Sequence, residues 1–320
     1  MKNILILSSG RRVELVQAFK SEQLKRGLNL RILATDLRPE LSAACQSVDL
    51  AIKSPRVTDS GYIDFLLQIC KSQNIGLVIP TIDTELLVLS KCRKEFLEHG
   101  INIVISDETL VQKCRDKRLT ALLFKELGIA SPEIYEKSKI EFPCFAKPYD
   151  GSCSVGAMPI YSSDMMSEAL LEDEKMIFMQ LIGNSHHEYT VDAFYDSRGA
   201  LRCFVPRQRI EVRGGEISKG VTRRHYVYNY LKDKLVHLKG ARGCITLQIF
   251  ARPEADFFAL EINPRFGGGF PLSYSAGANY PGWLIDEYLL GFKIPFKDDW
   301  EDNLLMLRYD AKVLVHDADI

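Results

Sequence analysis

Through the first hundred residues, short unbroken apolar runs alternate with stretches whose apolar positions recur every three or four residues. The runs are "NILIL", "LRILATD", "LAIK", "GLVIPT" and "INIVIS". Between them lie "RRVELVQAFKSEQLKRG", "GYIDFLLQICKSQN" and "DTELLVLSKCRKEFLEHG", which have helical spacing, and a shorter "LSAACQSVD". Continuous apolar strands separated by helices predict a parallel sheet covered on both faces. Residues 1–106 therefore read as a Rossmann-like α/β domain. Ligands of such sheets sit at the carboxyl ends of the strands, here Ser8 to Arg12, Asp36, and Pro80 to Glu85.

The pattern changes near residue 107. "DETLVQKCRDKRLTALLFKELGIASPE" predicts two consecutive helices ending at Gly128 and a Ser-Pro turn. Short strands follow: "FPCFAKP", "GAMPIYS", "MIFMQLI", "HEYTVDAFYD", "GALRCFVPRQRIEV", "CITLQIF" and "FFALEIN". Helical "SSDMMSEALLEDE" and "NYLKDKLVHLKG" interrupt them, and a helix in "GWLIDEYLLG" and a strand in "LLMLRYDAKVLV" close the chain. This is an α+β region built on antiparallel hairpins.

Composition narrows the function classes. The chain has 320 residues, enough for two cores. Basic and acidic residues number 41 and 42, so bulk charge argues for neither a nucleic-acid nor a membrane partner. The eight cysteines show no Cys-x-x-Cys spacing and read as reduced thiols of a cytoplasmic protein. The first apolar run is too short for a signal peptide, and no run approaches a membrane span.

The candidate chemistry is concentrated late in the chain. In "FALEINPRFGGGFP", Glu261 and Asn263 project from one face of a strand, because residues two apart point the same way. The preceding strand and the hairpin loop "ARPEAD" bring Gln248 close to opposite Glu261. A cluster of oxygen donors without histidine or thiolate suits magnesium, and magnesium usually meets substrate phosphates too. Lys147 ends an apolar strand beside the glycine- and serine-containing "YDGSCSVGA". A buried lysine is costly unless it meets an anion, and such a loop can offer backbone N–H groups to phosphate. Lys117 alone reads as a solvated helix residue. In "VPRQRIEVRGGEISKGVTRRH", glycines punctuate cations, Arg209 and Lys219 among them, which suggests a mobile loop closing over an anionic ligand. Arg11 and Arg12 stand at a helix start, where anions are favoured, although a solvated helix face accounts equally well for either alone. A dinucleotide site is disfavoured: "SSGRR" has one glycine where the phosphate turn needs three. His186 and His187 point to opposite faces of a strand and read as structural or exposed.

Together, Lys117, Lys147 with its glycine loop, Glu188, Gln248 and Glu261-x-Asn263-Pro264-Arg265 resemble the ATP-grasp superfamily. Within it the chain looks most like the synthetase units of the carbamoyl phosphate synthetase large chain and like biotin carboxylase-type and amino-acid ligase members. The resemblance implies a pre-ATP-grasp domain at 1–106, a small lobe at 107–178, and a large lobe at 179–320 with a C-terminal extension. It implies that Lys117 and Lys147 contact ATP phosphates. The loop with Asp150, Gly151, Ser152, Ser154 and Gly156 would close over those phosphates, with Arg209 and Lys219 as further nucleotide contacts. Gln180, Leu181 and Ile182 would form the hinge at adenine, and Glu188 would hold the ribose. Gln248, Glu261 and Asn263 would hold magnesium, or manganese in its place. Arg265 would act with Lys147 on the transferred phosphoryl group. An acidic residue is common where Gln180 stands, which leaves the hinge its backbone contact.

The activity implied is an ADP-forming carboxylate–amine ligase working through an acyl phosphate. A synthase releasing carbamoyl or acyl phosphate, and a nucleotide-binding module without catalysis, are the competing readings. Arg11, Arg12, Asp83 and Glu85 are assigned to the acid substrate by position alone. Gly267 and Gly268 would let the backbone pass the acyl-phosphate end without filling space the substrate needs. The partners expected are a small carboxylate and an amine, with homodimerisation as a family expectation.

Overall fold

The computed structural model describes residues 1–151, 155–253 and 256–316. The N-terminal strands are β1 (Asn3–Ile6), β2 (Ile32–Asp36), β3 (Leu50–Lys53), β4 (Ile75–Ile79) and β5 (Asn102–Ile103). They form a parallel sheet in the order β3-β2-β1-β4-β5. Its helices are α1 (Val13–Lys25), α2 (Tyr62–Ser72) and α3 (Asp83–Glu98). Alternation along β1 sends its side chains to two different cores. Leu5 and Leu7 meet α2 and α3 through Leu66, Leu89 and Phe96. Ile4 and Ile6 share a core with α1 and with Phe194, Val205, Phe270 and Trp283, which come from the other half of the chain.

Helices α4 (Glu108–Arg115) and α5 (Lys117–Glu126) follow. Asp116 caps α5 by accepting the Arg118 N–H at 2.8 Å. Next come β6 (Ile134–Tyr135), β7 (Cys144–Pro148), β8 (Met158–Ile160), α6 (Glu168–Glu172) and β9 (Met176–Gln180). The strands make a four-stranded antiparallel sheet, β6-β9-β7-β8, over its own small core of Cys144, Ala146, Ile160, Met176 and Phe178. Helix α6 packs on this core through Leu170 and Leu171, but α4 and α5, also expected in the small lobe, do not. Leu110, Leu123 and Phe124 instead join Tyr189, Val191 and Ile245 of the large sheet. An amphipathic helix announces that one face is covered, and its spacing does not say by what.

The large sheet contains β10 (His187–Tyr195), β11 (Leu201–Arg213), β12 (Glu216–Thr222), β13 (Gly243–Ala251), β14 (Phe257–Asn263) and β15 (Leu305–Leu307). Its order is β14-β13-β10-β11-β12-β15. Helices α7 (Tyr226–Leu231), α8 (Phe270–Ser275) and α9 (Tyr280–Tyr288) accompany it. The basic segment expected as a mobile loop is a β11–β12 hairpin turning at Gly214 and Gly215, both at positive φ. The late strand is shorter than its apolar pattern suggests, with residues beyond 307 outside it. Among the described residues no helix is long and apolar enough to cross a membrane.

Candidate active site

A cleft of about 760 Å³ opens where the three sheets meet. Its metal-like edge comes from strand register. β13 and β14 pair Gln248 with Glu261 and Thr246 with Asn263, so the expected adjacency holds. Asn263 Nδ2 donates to Glu261 Oε1 at 2.9 Å. On the neighbouring β10, Glu188 accepts a hydrogen bond from Gln248 Nε2. Two carboxylates and two amides thus share one patch of the cleft. Turning each amide about its terminal bond presents oxygen instead of NH₂, giving an all-oxygen set suited to a hard divalent cation. The donors present fit magnesium.

Two lysines face this edge. Lys117, the first residue of α5, donates from Nζ to the Gly151 carbonyl at 2.6 Å. Burial pushes its pKa down, against the pull of Glu261. Lys147 near the end of β7 is pushed down to about 8, first by burial and then by the Lys117 charge, with Glu261 again opposing. Desolvated cations with too little counter-charge are what an anion-binding wall consists of.

The other assigned residues divide. Gln180, Leu181, Ile182, Glu188, Arg209 and Gly151 line the cleft, and Arg209 Nε stands 3.3 Å from Glu188 Oε1. Asp150 turns its carboxylate to Lys175 at 2.7 Å. Gly156, at positive φ, lies against Pro148. Ser152 and Ser154 lie outside the described residues. Lys219 is exposed and paired with Glu211, away from the cleft, because its strand position faces the hairpin partner.

At the far end, Arg265 Nη2 donates to Asp83 Oδ2 at 2.8 Å, joining the large sheet to the N-terminal domain. Arg12 Nη2 donates to the Thr81 carbonyl at 3.0 Å. Its pKa is pushed down to about 10 by burial and then by the Arg265 charge. Arg11 is exposed, 3.2 Å from Glu216, and borders a small neighbouring depression rather than the cleft. Glu85 is not at the cleft wall either. It is buried beneath the sheet edge, accepts from Ser8 Oγ and from Tyr62 OH at 3.1 Å, and is pushed up to about 7 by burial. Gly267 and Gly268 line the cleft as expected, but protein atoms also occupy the space beside them. A Cβ on Gly268 would stand 2.6 Å from the Glu216 carboxyl carbon, and one on Gly267 3.0 Å from Thr246 Oγ1. What crowds them is the protein's own side chains.

The sequence pattern passed over Arg207 and Glu216. Arg207 is fully buried on β11, donating from Nε and Nη2 to Asp192 Oδ2 and Oδ1 at 2.8 and 3.1 Å. Ser273 Oγ also donates to Asp192, at 2.6 Å. The signal was one charge inside each of two apolar strands, "CFVPRQ" and "YTVDAFY".

Comparison with known proteins agrees with this geometry. Residues 4–104 match a family model described as a PylC-like N-terminal domain. Residues 172–304 match one described as ATP-grasp in the biosynthetic pathway with Ter operon. Residues 172–304 thus carry an ATP-grasp domain. Similar solved structures include biotin carboxylase from Campylobacter jejuni in complex with β-γ-ATP, at 12% identity, TM-score 0.73, over 95% of this chain and 74% of that one. N5-carboxyaminoimidazole synthetase from Staphylococcus aureus with ADP gives 15%, 0.72, 96% and 81%. L-amino acid ligase from Bacillus licheniformis gives 13%, 0.67, 93% and 77%. No curated protein matches the sequence.

Proposed function

We propose that this ATP-grasp protein is an ADP-forming ligase that activates a carboxylate as an acyl phosphate and passes the acyl group to an amine. The observation that carries the reading is the pair of desolvated lysines, Lys117 and Lys147, facing Glu261 across the cleft. The lysines take the β- and γ-phosphates. Gln180 to Ile182 meet adenine, and Glu188, held by Arg209, takes the ribose. Glu261, Asn263 and Gln248 would hold magnesium, which supplies charge neutralisation at the transferring phosphoryl group. The carboxylate of the acid attacks the γ-phosphorus, ADP leaves, and Arg265 stabilises charge on the acyl phosphate. The amine then displaces phosphate from the acyl carbon, giving an amide and inorganic phosphate. The protein positions and neutralises, so no covalent nucleophile is needed.

The test is an ADP-formation screen of acids and amines in pairs with MgATP. Acid-dependent ADP release that rises with amine, and disappears in Glu261→Gln, is expected. ADP release that persists in Glu261→Gln would remove the metal assignment, and acyl phosphate accumulating unchanged with amine would remove the ligase reading.

A further inference from the structure

We propose that the acid taken by this cleft carries a second negative group, a carboxylate or phosphate, seated at Arg12 and Arg207 while its reacting carboxylate faces Arg265. The proposal rests on the ligase reading for the role of Arg265. Its own basis is a charge inventory where the large sheet meets the N-terminal domain in the cleft.

Arg12, Arg207 and Arg265 all line that region. Cys244, buried on β13, lies within electrostatic reach of all three. Their counter-charges are unequal. Arg265 has Asp83, and Arg207 has Asp192 for two of its three nitrogens. Arg207 Nη1 is buried with no partner. Arg12 has only the Thr81 carbonyl, and among the described residues no carboxylate lies within ion-pair distance of it. The remaining carboxylate at this end, Glu216, is already taken by Arg11 at 3.2 Å and Arg308 at 3.3 Å. A guanidinium keeps its proton even when desolvated, so the deficit is met by an incoming anion. One carboxylate at Arg265 would leave Arg12 and Nη1 as they are, whereas a second anionic group would supply the missing counter-charge on this side of the cleft. Gly269 lets the backbone pass close against this guanidinium: a Cβ there would run into Arg207 Nη1 and stand 2.6 Å from Ile217 Cγ2, displacing the arginine. The glycine's φ is −92°, so the missing side chain answers to space and not to backbone strain.

The test is calorimetric titration of the full chain, with and without MgADP, using acetate, propionate, malonate, succinate, phosphonoacetate, L-alanine and L-aspartate. Dianions are expected to bind at least about tenfold more tightly than monoanions, the scale of one charge-assisted contact. L-Aspartate should exceed L-alanine likewise. Malonate or succinate against phosphonoacetate then tells a carboxylate subsite from a phosphate one. Arg207→Met removes a buried ion pair and can unfold the chain, so Arg12→Gln and Gly269→Ala are the deciding variants. Each should lose the dianion preference while MgADP affinity stays. Equal binding of mono- and dianions, no dianion binding at millimolar concentration, or a preference surviving both variants would overturn the proposal. Failure of wild-type protein to bind MgADP would sink the ligase reading, while the nucleotide-free titration would still decide the subsite.

Discussion

Nucleotide binding should be accompanied by proton uptake at Lys147. Its pKa stands at about 8 in the free protein because burial outweighs Glu261. Phosphate oxygens beside the ammonium restore the charged form, returning the group toward its ordinary 10.5. With those two values, uptake on binding is about 0.1 proton at pH 7 and about 0.9 at pH 9, since the free lysine is about 90% charged at the first and about 10% at the second. Nucleotide phosphates no longer titrate at the upper pH, so they do not mask the signal. The assay is calorimetry of ADP or a non-hydrolysable ATP analogue in buffers of different ionisation enthalpy. Lys147→Met should remove most of the uptake, leaving only what Lys117 contributes, and weaken binding. It should also make the free protein more stable near neutrality, because the depressed pKa represents a folding cost of up to about 3 kcal/mol. That cost is fully present below the folded pKa and fades as pH rises toward the unfolded one. Uptake that is flat between pH 7 and 9, or unchanged in Lys147→Met, would refute the assignment of Lys147 to phosphate.

Glu261→Gln should cut magnesium-dependent ADP formation by at least about a hundredfold, the scale of losing one preorganised electrostatic contact, with an unchanged melting temperature. Glu85 holds its carboxyl near 7 because it is buried. The stability it favours is therefore fully present below its ordinary 4.5 and lost as pH rises through about 7. Glu85→Gln should flatten the pH dependence of urea unfolding across that window, and an unaltered slope would contradict it. Arg207→Met leaves Asp192 buried without its partner and should cost about 3–5 kcal/mol in urea unfolding. Adding Asp192→Asn should recover part of that, and a strictly additive double variant would show that the pair is not coupled.

Residues two apart on a strand share a face whatever lies around them, so Glu261 and Asn263 could be placed together from the sequence, and a short hairpin fixed Gln248 opposite. The five apolar runs of the first domain were readable for a similar local reason. What the sequence withheld depends on neighbours distant in the chain. Lys147 and Lys219 are both strand lysines, yet one is desolvated in the cleft and the other is paired in solvent with Glu211. Arg207 looked like one cation among several in a glycine-punctuated segment until its pairing with Asp192 on β10 was seen. Glu85 follows Asp83 by two residues, but a helix turns the two acids in different directions, one to Arg265 and the other into the core.

The shared core beneath β1 divides the molecule mechanically along a different line from its sequence. Ile4 and Ile6 are buried with Phe194, Phe270 and Trp283, and Arg26 ties α1 to Asp286 at 2.7 Å. Sliding the N-terminal domain against the large sheet would expose that apolar contact. Among the described residues the four-stranded sheet has no such tie, since its core is its own. It meets the rest at the start of α5, where Lys117 N donates to the Tyr149 carbonyl at 3.0 Å and the Arg118 guanidinium lies 3.8 Å over the Tyr149 ring. The molecule is thus a two-domain anvil with one separate jaw, and Lys117 stands at the joint. An anion bound by that lysine would therefore act directly on the joint between jaw and anvil.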